Sequence, residues 1–140
     1  MAHRAPYILL VDDNPADAKL NQIAIERVAP ELRIIHVWSG PDAIRFLEKV
    51  KHKTNWPAVM LVDFNMPEMT GGELIQILTD RKLNQFPIYI FSGMISLPSD
   101  DPLLVKGARA CLEKPLTYLR TEELFAELLG MYTPQKVVSA

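Results

Sequence analysis

The chain has 140 residues, of which 49% are apolar, 23% charged and 8% aromatic, and this length suits a single globular domain. Fifteen basic residues against seventeen acidic ones give a formal charge of -2, which lacks the basic excess needed for direct nucleic-acid binding. The single cysteine, Cys111, excludes an internal disulfide and, without a Cys/His cluster, argues against a structural zinc site. The lone cysteine favours a reducing cytoplasm, and no apolar run approaches the roughly 18 residues that span a bilayer, so no membrane contact is expected.

Short apolar runs alternate with segments of helical spacing, which is typical of a β/α fold with a parallel sheet. The first strand is predicted over Tyr7–Val11, because a strand covered on both faces is continuously apolar. The first helix is predicted to begin at Pro15 behind an Asn14 N-cap. Its spacing predicts one stripe of side chains against the sheet, formed by Leu20, Ile23, Ala24, Arg27 and Val28.

Four further strands are predicted from short apolar runs over residues 33–38, 58–62, 88–91 and Ala110–Glu113. The run over 58–62 is the most uniformly apolar, so the third strand is predicted to be central. A second helix is predicted after a turn over 39–41, with an inner stripe of Ile44, Leu47 and Val50.

The remaining helices follow the same alternation. A turn-rich loop over 66–72 precedes a third helix, whose inner positions are Leu74, Ile75 and Leu78. A fourth helix is predicted over 100–106 and is closed by Gly107. A last helix is predicted over 121–129, and the tail over 131–140 is expected to fray. The prediction is therefore one domain over 1–140 with its core in 7–129.

Polar residues follow four of the predicted strands. Asp12 and Asp13 come after the first strand, Asp63 after the third, Ser92 after the fourth and Lys114 after the fifth. Because the carboxyl ends of parallel strands meet at one edge of a sheet, these side chains are expected to converge. Three converging carboxylates repel one another, and a hard dication with an ammonium group would neutralise them. The set therefore predicts a Mg²⁺ site suited to phosphoryl chemistry.

With these residues in place, the chain resembles the receiver domain of two-component response regulators over about residues 7–129. Four motifs in the right order carry the resemblance: ILLVDDN at 8–14, VMLVDFNMPEMTG at 59–71, IFSG at 90–93 and GARACLEKP at 107–115. The resemblance implies the chemotaxis-regulator type of flavodoxin-like fold. This is a (βα)5 three-layer sandwich around a five-stranded parallel sheet of order 2-1-3-4-5.

The resemblance also implies roles for the acidic residues. Asp63 is expected to be the phosphoacceptor, which attacks the phosphorus of a phosphohistidine and becomes an acyl phosphate. Mg²⁺ is expected to bind Asp13, Asp63 and the backbone carbonyl of Asn65 directly, and Asp12 through water.

Other residues are expected to contact the phosphoryl group. Lys114 would contact Asp63 and a phosphoryl oxygen, and the Ser92 hydroxyl would move to bond the same group. The backbone N–H groups of Phe64 and Gly93 are expected to help bind its oxygens. Cys111 occupies the switch position where receivers usually carry an aromatic side chain, so the usual coupling to Ser92 is expected to be missing.

The implied function is that of a stand-alone receiver that takes a phosphoryl group from a sensor histidine kinase or phosphotransfer protein. Phosphorylation and dephosphorylation would be self-catalysed, so the domain is not expected to be an enzyme with small-molecule turnover. Only about ten residues follow the last helix, so the signal is expected to leave by contact with a downstream protein. The alternative is an interaction module that keeps the fold without being phosphorylated. A phosphatase is disfavoured, because 12–14 lack the D-x-D spacing.

Two differences from other receiver domains, at Met94 and at the switch position, lead to further expectations. Met94 stands two residues beyond Ser92, where an apolar side chain favours a long-lived phosphorylated state, although the Asn65 amide could still position water. Without an aromatic switch, the signal is expected to pass through the loop 94–101 and the fourth helix. That helix contains Leu103, Leu104 and Val105, which suit a partner or homodimer contact, or simply pack on the sheet. His36 and Trp38 are predicted to be ordinary strand and strand-end residues.

Overall fold

The computed structural model describes residues 6–53, 55–92 and 107–113, together with residues 122, 123, 126 and 130. Its elements are β1 (Tyr7–Val11), α1 (Pro15–Val28), β2 (Arg33–Val37), α2 (Gly40–Val50), β3 (Val59–Asp63), α3 (Gly71–Asp80), β4 (Ile88–Ser92) and β5 (Ala110–Glu113). A short 3-10 turn, Lys51–Lys53, follows α2. The described residues after 121 are helical.

The five strands form one parallel sheet in the order β2-β1-β3-β4-β5, which confirms the predicted fold. Strand β3, which is apolar up to its final Asp63, lies at the centre, as predicted, and every one of its residues is buried. In register, Leu9 of β1 faces Ile35 on one side and Met60 on the other. This register places the ends of β1 and β3 side by side.

Two hydrophobic cores cover the two faces of the sheet. Alternate strand residues such as Leu9 and Val62 pack with α2 and α3 on one face. Their neighbours, such as Leu10 and Leu61, pack with α1 on the other face. Because side chains alternate along a strand, each of the strands β1 to β4 supplies both cores. The described chain therefore has three layers.

Helix α1 packs on the sheet through a different stripe from the predicted one. Its buried residues are Ala18, Asn21, Ala24 and Ile25, so only Ala24 of the predicted stripe is fully buried. Ile23 is 38% exposed, and Arg27 turns outward to pair with Glu122 at 3.1 Å. The prediction was wrong because the buried stripe includes a polar asparagine and small alanines. A prediction from the spacing of large apolar residues overlooks such a stripe.

Side-chain caps set where the three described helices begin. Asn14 Oδ1 accepts the Asp17 N–H at 3.0 Å, and Ser39 Oγ accepts the Asp42 N–H at 3.2 Å. Thr70 and Glu73 form a reciprocal capping box, in which each side chain accepts the other residue's N–H. The sequence carries this signal as T-x-x-E at 70–73, and it starts α3 inside the segment predicted as loop.

Several predictions lie outside the described residues. These are the loop 94–101, the helix over 100–106 with its apolar residues Leu103, Leu104 and Val105, and most of the helix over 121–129. The fraying of 131–140 also lies outside. None of the helices within the described ranges is long and apolar enough to cross a membrane.

Candidate functional site

Three carboxylates meet at the carboxyl edge of the sheet, the edge at which the strands end. Asp12 and Asp13 directly follow β1, and Asp63 is the last residue of β3, which pairs with β1. One carboxylate oxygen from each residue lies within 4.8 Å of the others. The structure thus brings together the acidic residues whose convergence the order of strands predicts.

The acidic cluster is largely removed from solvent. Asp12 is 2% and Asp63 5% exposed, and Asp13 is half-buried. Asp12 Oδ1 accepts the Asn14 N–H at 2.9 Å, and Asp63 Oδ1 accepts the Asn65 N–H at 3.3 Å. These bonds orient the carboxylates and hold three acidic groups close together in a region of low dielectric. Such an arrangement favours binding of a cation.

The donor atoms suit a hard cation. The cluster offers carboxylate oxygens only, and the backbone carbonyl of Asn65 follows Asp63 by two residues. Oxygen ligands select Mg²⁺, Ca²⁺ or Mn²⁺ rather than the softer metals that thiolates and imidazoles prefer. The residues therefore fit the Mg²⁺ that the sequence predicts.

The main chain of Asp12 is held by β2. The Asp12 N–H donates to the Val37 carbonyl at 3.2 Å, and His36 Nε2 donates to the Asp12 carbonyl at 2.8 Å. The His36 ring also lies 4.1 Å, centroid to centroid, from Trp38. Sequence reasoning missed this role of His36, because only the register between β1 and β2 brings its ring to Asp12.

The expectation for the Phe64 N–H is wrong. This group donates to the Phe91 carbonyl at 2.7 Å and so continues the ladder between β3 and β4. The Phe64 carbonyl accepts the Gly71 N–H at 2.9 Å, so both backbone groups of Phe64 are occupied. A Cβ at Gly71 would lie 3.0 Å from Phe64 Cα, which shows how tightly the loop folds back. The N–H that faces the Asp63 carboxylate belongs to Asn65.

The structure describes only some of the other predicted site residues. Ser92 ends β4 one residue beyond Phe91, the register partner of Asp63. Cys111 lies in β5 opposite Ile90. Gly93, Met94 and Lys114 lie outside the described residues. Their predicted roles remain predictions.

The family model for the response regulator receiver domain matches residues 8–128. The chain belongs to this family. Curated relatives include the two-component response regulator ORR11 of Oryza sativa subsp. indica, which is 30% identical over 125 residues. That match covers 89% of this chain and 81% of the rice receiver protein.

Other matches differ in how much of the relative they cover. The hybrid signal transduction histidine kinase D of Dictyostelium discoideum is 27% identical over 135 residues; the match covers 96% of this chain but only 8% of the kinase. Among solved structures, the Mn²⁺-bound response regulator Rcp1 superimposes with a TM-score of 0.74 at 19% identity. That alignment covers 96% of this chain and 99% of Rcp1, and it supports the receiver fold.

Proposed function

We propose that this receiver accepts a phosphoryl group on Asp63 from a sensor histidine kinase or a phosphotransfer protein. The observation that carries the proposal is the cluster of Asp12, Asp13 and Asp63 at the neighbouring ends of β1 and β3. Asp63 is the member that lies within a strand, and it pairs in register with Phe91. The chain spans 8% of the length of the Dictyostelium hybrid kinase and 81% of the length of the rice regulator. Its partners are therefore inferred from the site.

The proposed step is an in-line displacement at phosphorus. An Asp63 oxygen forms the new P–O bond while the P–N bond of the phosphohistidine breaks. The bonding pair leaves with the imidazole nitrogen, which takes a proton from solvent. The Asn65 N–H already lies 3.3 Å from Asp63 Oδ1, so it is placed to stabilise charge on the oxygens around the acceptor. Positioning and charge stabilisation supply most of the catalysis in such transfers.

Mg²⁺ fits the acidic cluster as the cofactor. Asp13, Asp63 and the Asn65 carbonyl would hold it directly, and Asp12 would bind through water. When bound, the ion offsets the charge of the carboxylates and of the phosphoryl oxygens. The Mn²⁺ in the Rcp1 structure supports a divalent cation in a protein of this fold. The buried position of Asp12 and the bond from Asn14 keep its carboxylate aimed into the cluster.

Lys114, Ser92 and Gly93 are proposed as the remaining contacts of the phosphoryl group. Ser92 ends β4 beside Glu113, the last residue of β5, and Lys114 follows Glu113 directly in the chain. We further propose that the domain acts alone in the cytoplasm, catalyses its own phosphorylation and dephosphorylation, and signals by protein contact. Cys111 at the switch position implies a different route of signalling from receivers with an aromatic residue there.

The test is intact mass spectrometry after incubation with phosphoramidate and Mg²⁺. The wild-type protein is expected to gain one phosphoryl group, and Asp63→Asn is expected to gain none, because an amide is not a nucleophile for phosphorus. Asp80→Asn, an exposed aspartate at the far end of α3, serves as the matched control and should be phosphorylated normally. EDTA should abolish uptake. Uptake by Asp63→Asn at the wild-type rate would overturn the acceptor, and no uptake by any form would favour the phosphorylation-independent module.

A further inference from the structure

A cleft opens beside the acidic cluster, between the turn after β2 and the loop after β3. It encloses about 210 Å³ and is lined by residues that include Asp13, Trp38, Gly40, Met66, Glu68 and Met69. Sites for organic cofactors and drug-sized ligands occupy roughly 300–1,000 Å³. The cleft is therefore matched to a single side chain rather than to a small molecule.

Close packing builds the wall of this cleft. A Cβ at position 40 would overlap the sulfur of Met69, so glycine at the start of α2 lets the loop after β3 lie directly against it. Met66, on the same loop, is buried in the core under α2 and α3. The loop that carries Glu68 is thus anchored on both sides, which gives the cleft a defined shape.

Trp38 exposes an aromatic surface at the cleft. Trp38 is 49% exposed, and Ile23 is the only other large hydrophobic residue that is exposed among the described residues. The Trp38 ring packs on His36 with an interplanar angle of 39°, which holds it in place at the end of β2. An ordered, exposed indole next to the site is a typical anchor for a binding partner.

The charge of the cleft favours a cationic occupant. Two carboxylates line it, those of Asp13 and Glu68; because Asp13 is assigned to the metal, the exposed Glu68 is the one left to pair with a cationic side chain. No lysine or arginine of the described ranges forms an ion pair with Glu68. A carboxylate and an indole that line one cleft suit a guanidinium group, which stacks on aromatic rings and pairs with carboxylates through its planar fork. A lysine ammonium group matches this combination less well, because it is compact and strongly hydrated.

We propose that this cleft receives an arginine side chain of a protein that docks over the edge carrying Asp63. The guanidinium group stacks on Trp38 and pairs with Glu68, while the metal occupies Asp13. The arginine positions the partner next to the phosphoacceptor and discriminates between donor proteins. That the partner is a phosphoryl donor rests on the proposed function, whereas the chemistry of the cleft does not.

The proposal is tested by NMR titration of the full chain with N-acetyl-arginine methylamide at saturating Mg²⁺, which keeps the acidic cluster filled. We expect saturable shifts of the Trp38 indole N–H and of the Gly40 and Met69 amides. N-acetyl-citrulline methylamide, which has the same shape without the charge, should cause none. Trp38→Ala and Glu68→Gln should each weaken binding by roughly two- to fivefold, the range expected of exposed cation–aromatic and ion pairs.

One matched variant controls for a general effect of removing a surface carboxylate. Glu26→Gln removes an exposed carboxylate from α1, on the opposite face of the sheet, and should leave arginine binding unchanged. The titration uses unphosphorylated protein, so its outcome is independent of phosphoryl uptake by Asp63. Equal shifts with citrulline, shifts centred on Asn14 and Asn65, or no saturable shift would each overturn the proposal.

Discussion

The amino edge of the sheet, where the strands begin, contrasts with the carboxyl edge, where they end. At the amino edge the Tyr7 hydroxyl donates to the Asn55 carbonyl at 2.6 Å. Two hydrogen bonds close the end of α3 at this edge. The Leu83 N–H donates to the Leu78 carbonyl at 2.8 Å, and the Lys82 N–H donates to the Thr79 carbonyl at 3.2 Å. At the carboxyl edge, by contrast, three carboxylates are gathered within 4.8 Å.

The difference shows that one sheet separates its structural and functional roles. At the amino edge, these hydrogen-bond donors are paired with acceptors, so this edge contributes to stability. At the carboxyl edge, three like-charged groups lie close together, an arrangement that a bound cation would stabilise. Substitutions at the amino edge should therefore change stability alone, and those at the carboxyl edge should change ligand dependence.

The largest effect is expected at Asp13. For wild-type protein, Mg²⁺ at 100 times its Kd should raise the free energy of unfolding by about 2.7 kcal/mol. Asp13→Asn should lose most of this gain, because a direct ligand is removed, and it should be more stable than wild type in EDTA, because repulsion falls. Urea unfolding with Mg²⁺ or EDTA measures both effects. An undiminished Mg²⁺ gain in this variant would remove Asp13 from the metal site.

Gly107 offers the next largest effect, at the amino edge. Its φ of +152° lies in a region that residues with a Cβ rarely adopt. Gly107→Ala should lower the free energy of unfolding by about 1–3 kcal/mol through backbone strain. The control is Gly130→Ala, because an added Cβ there has no atom within 4 Å and the position is helical. Both variants should keep the wild-type gain from Mg²⁺, and a loss of it in Gly107→Ala would contradict the separation of the edges.

Tyr7 should make stability depend on alkaline pH. Burial raises the pKa of Tyr7 to about 12, partly offset by Arg33. The unfolded chain ionises near pH 10 and the folded chain near pH 12, so the contribution of the neutral phenol is fully present below pH 10 and is lost as pH rises to 12. Tyr7→Phe should cost about 1 kcal/mol at neutral pH and progressively less across that window. A constant difference from pH 8 to 12 would disprove this role.

The smallest effect is a gain in stability at Lys82. This residue has a φ of 59°, in the left-handed conformation that closes α3, where glycine is favoured. Lys82→Gly should raise the free energy of unfolding by roughly 0.5–1 kcal/mol, because strain is relieved in excess of the added chain entropy. Lys49→Gly, at an exposed position in the last turn of α2, should instead lower it by up to about 1 kcal/mol, because the helical conformation there disfavours glycine. Thermal unfolding compares the two, and equal effects would refute the explanation.

Local patterns predicted much of the fold. The bounds of β1 and β5 match those expected, and the cap at Asn14 starts α1 where the sequence places it. These features depend on residues within a few positions of one another, such as the Asn14 side chain and the Asp17 N–H. The convergence of the three aspartates was predictable as well, because parallel strands must end on one edge.

Contacts between distant segments were decided only by the tertiary structure. The bond from His36 to Asp12 and the use of the Phe64 N–H by Phe91 depend on the register of neighbouring strands, which apolar runs do not specify. The buried stripe of α1 depends on how closely small residues approach the sheet. The cleft at Trp38 depends on a loop that packs across Gly40. The amino-acid sequence thus determined which elements form and where the acidic residues meet, and packing decided which backbone groups and side chains remain to bind ligands.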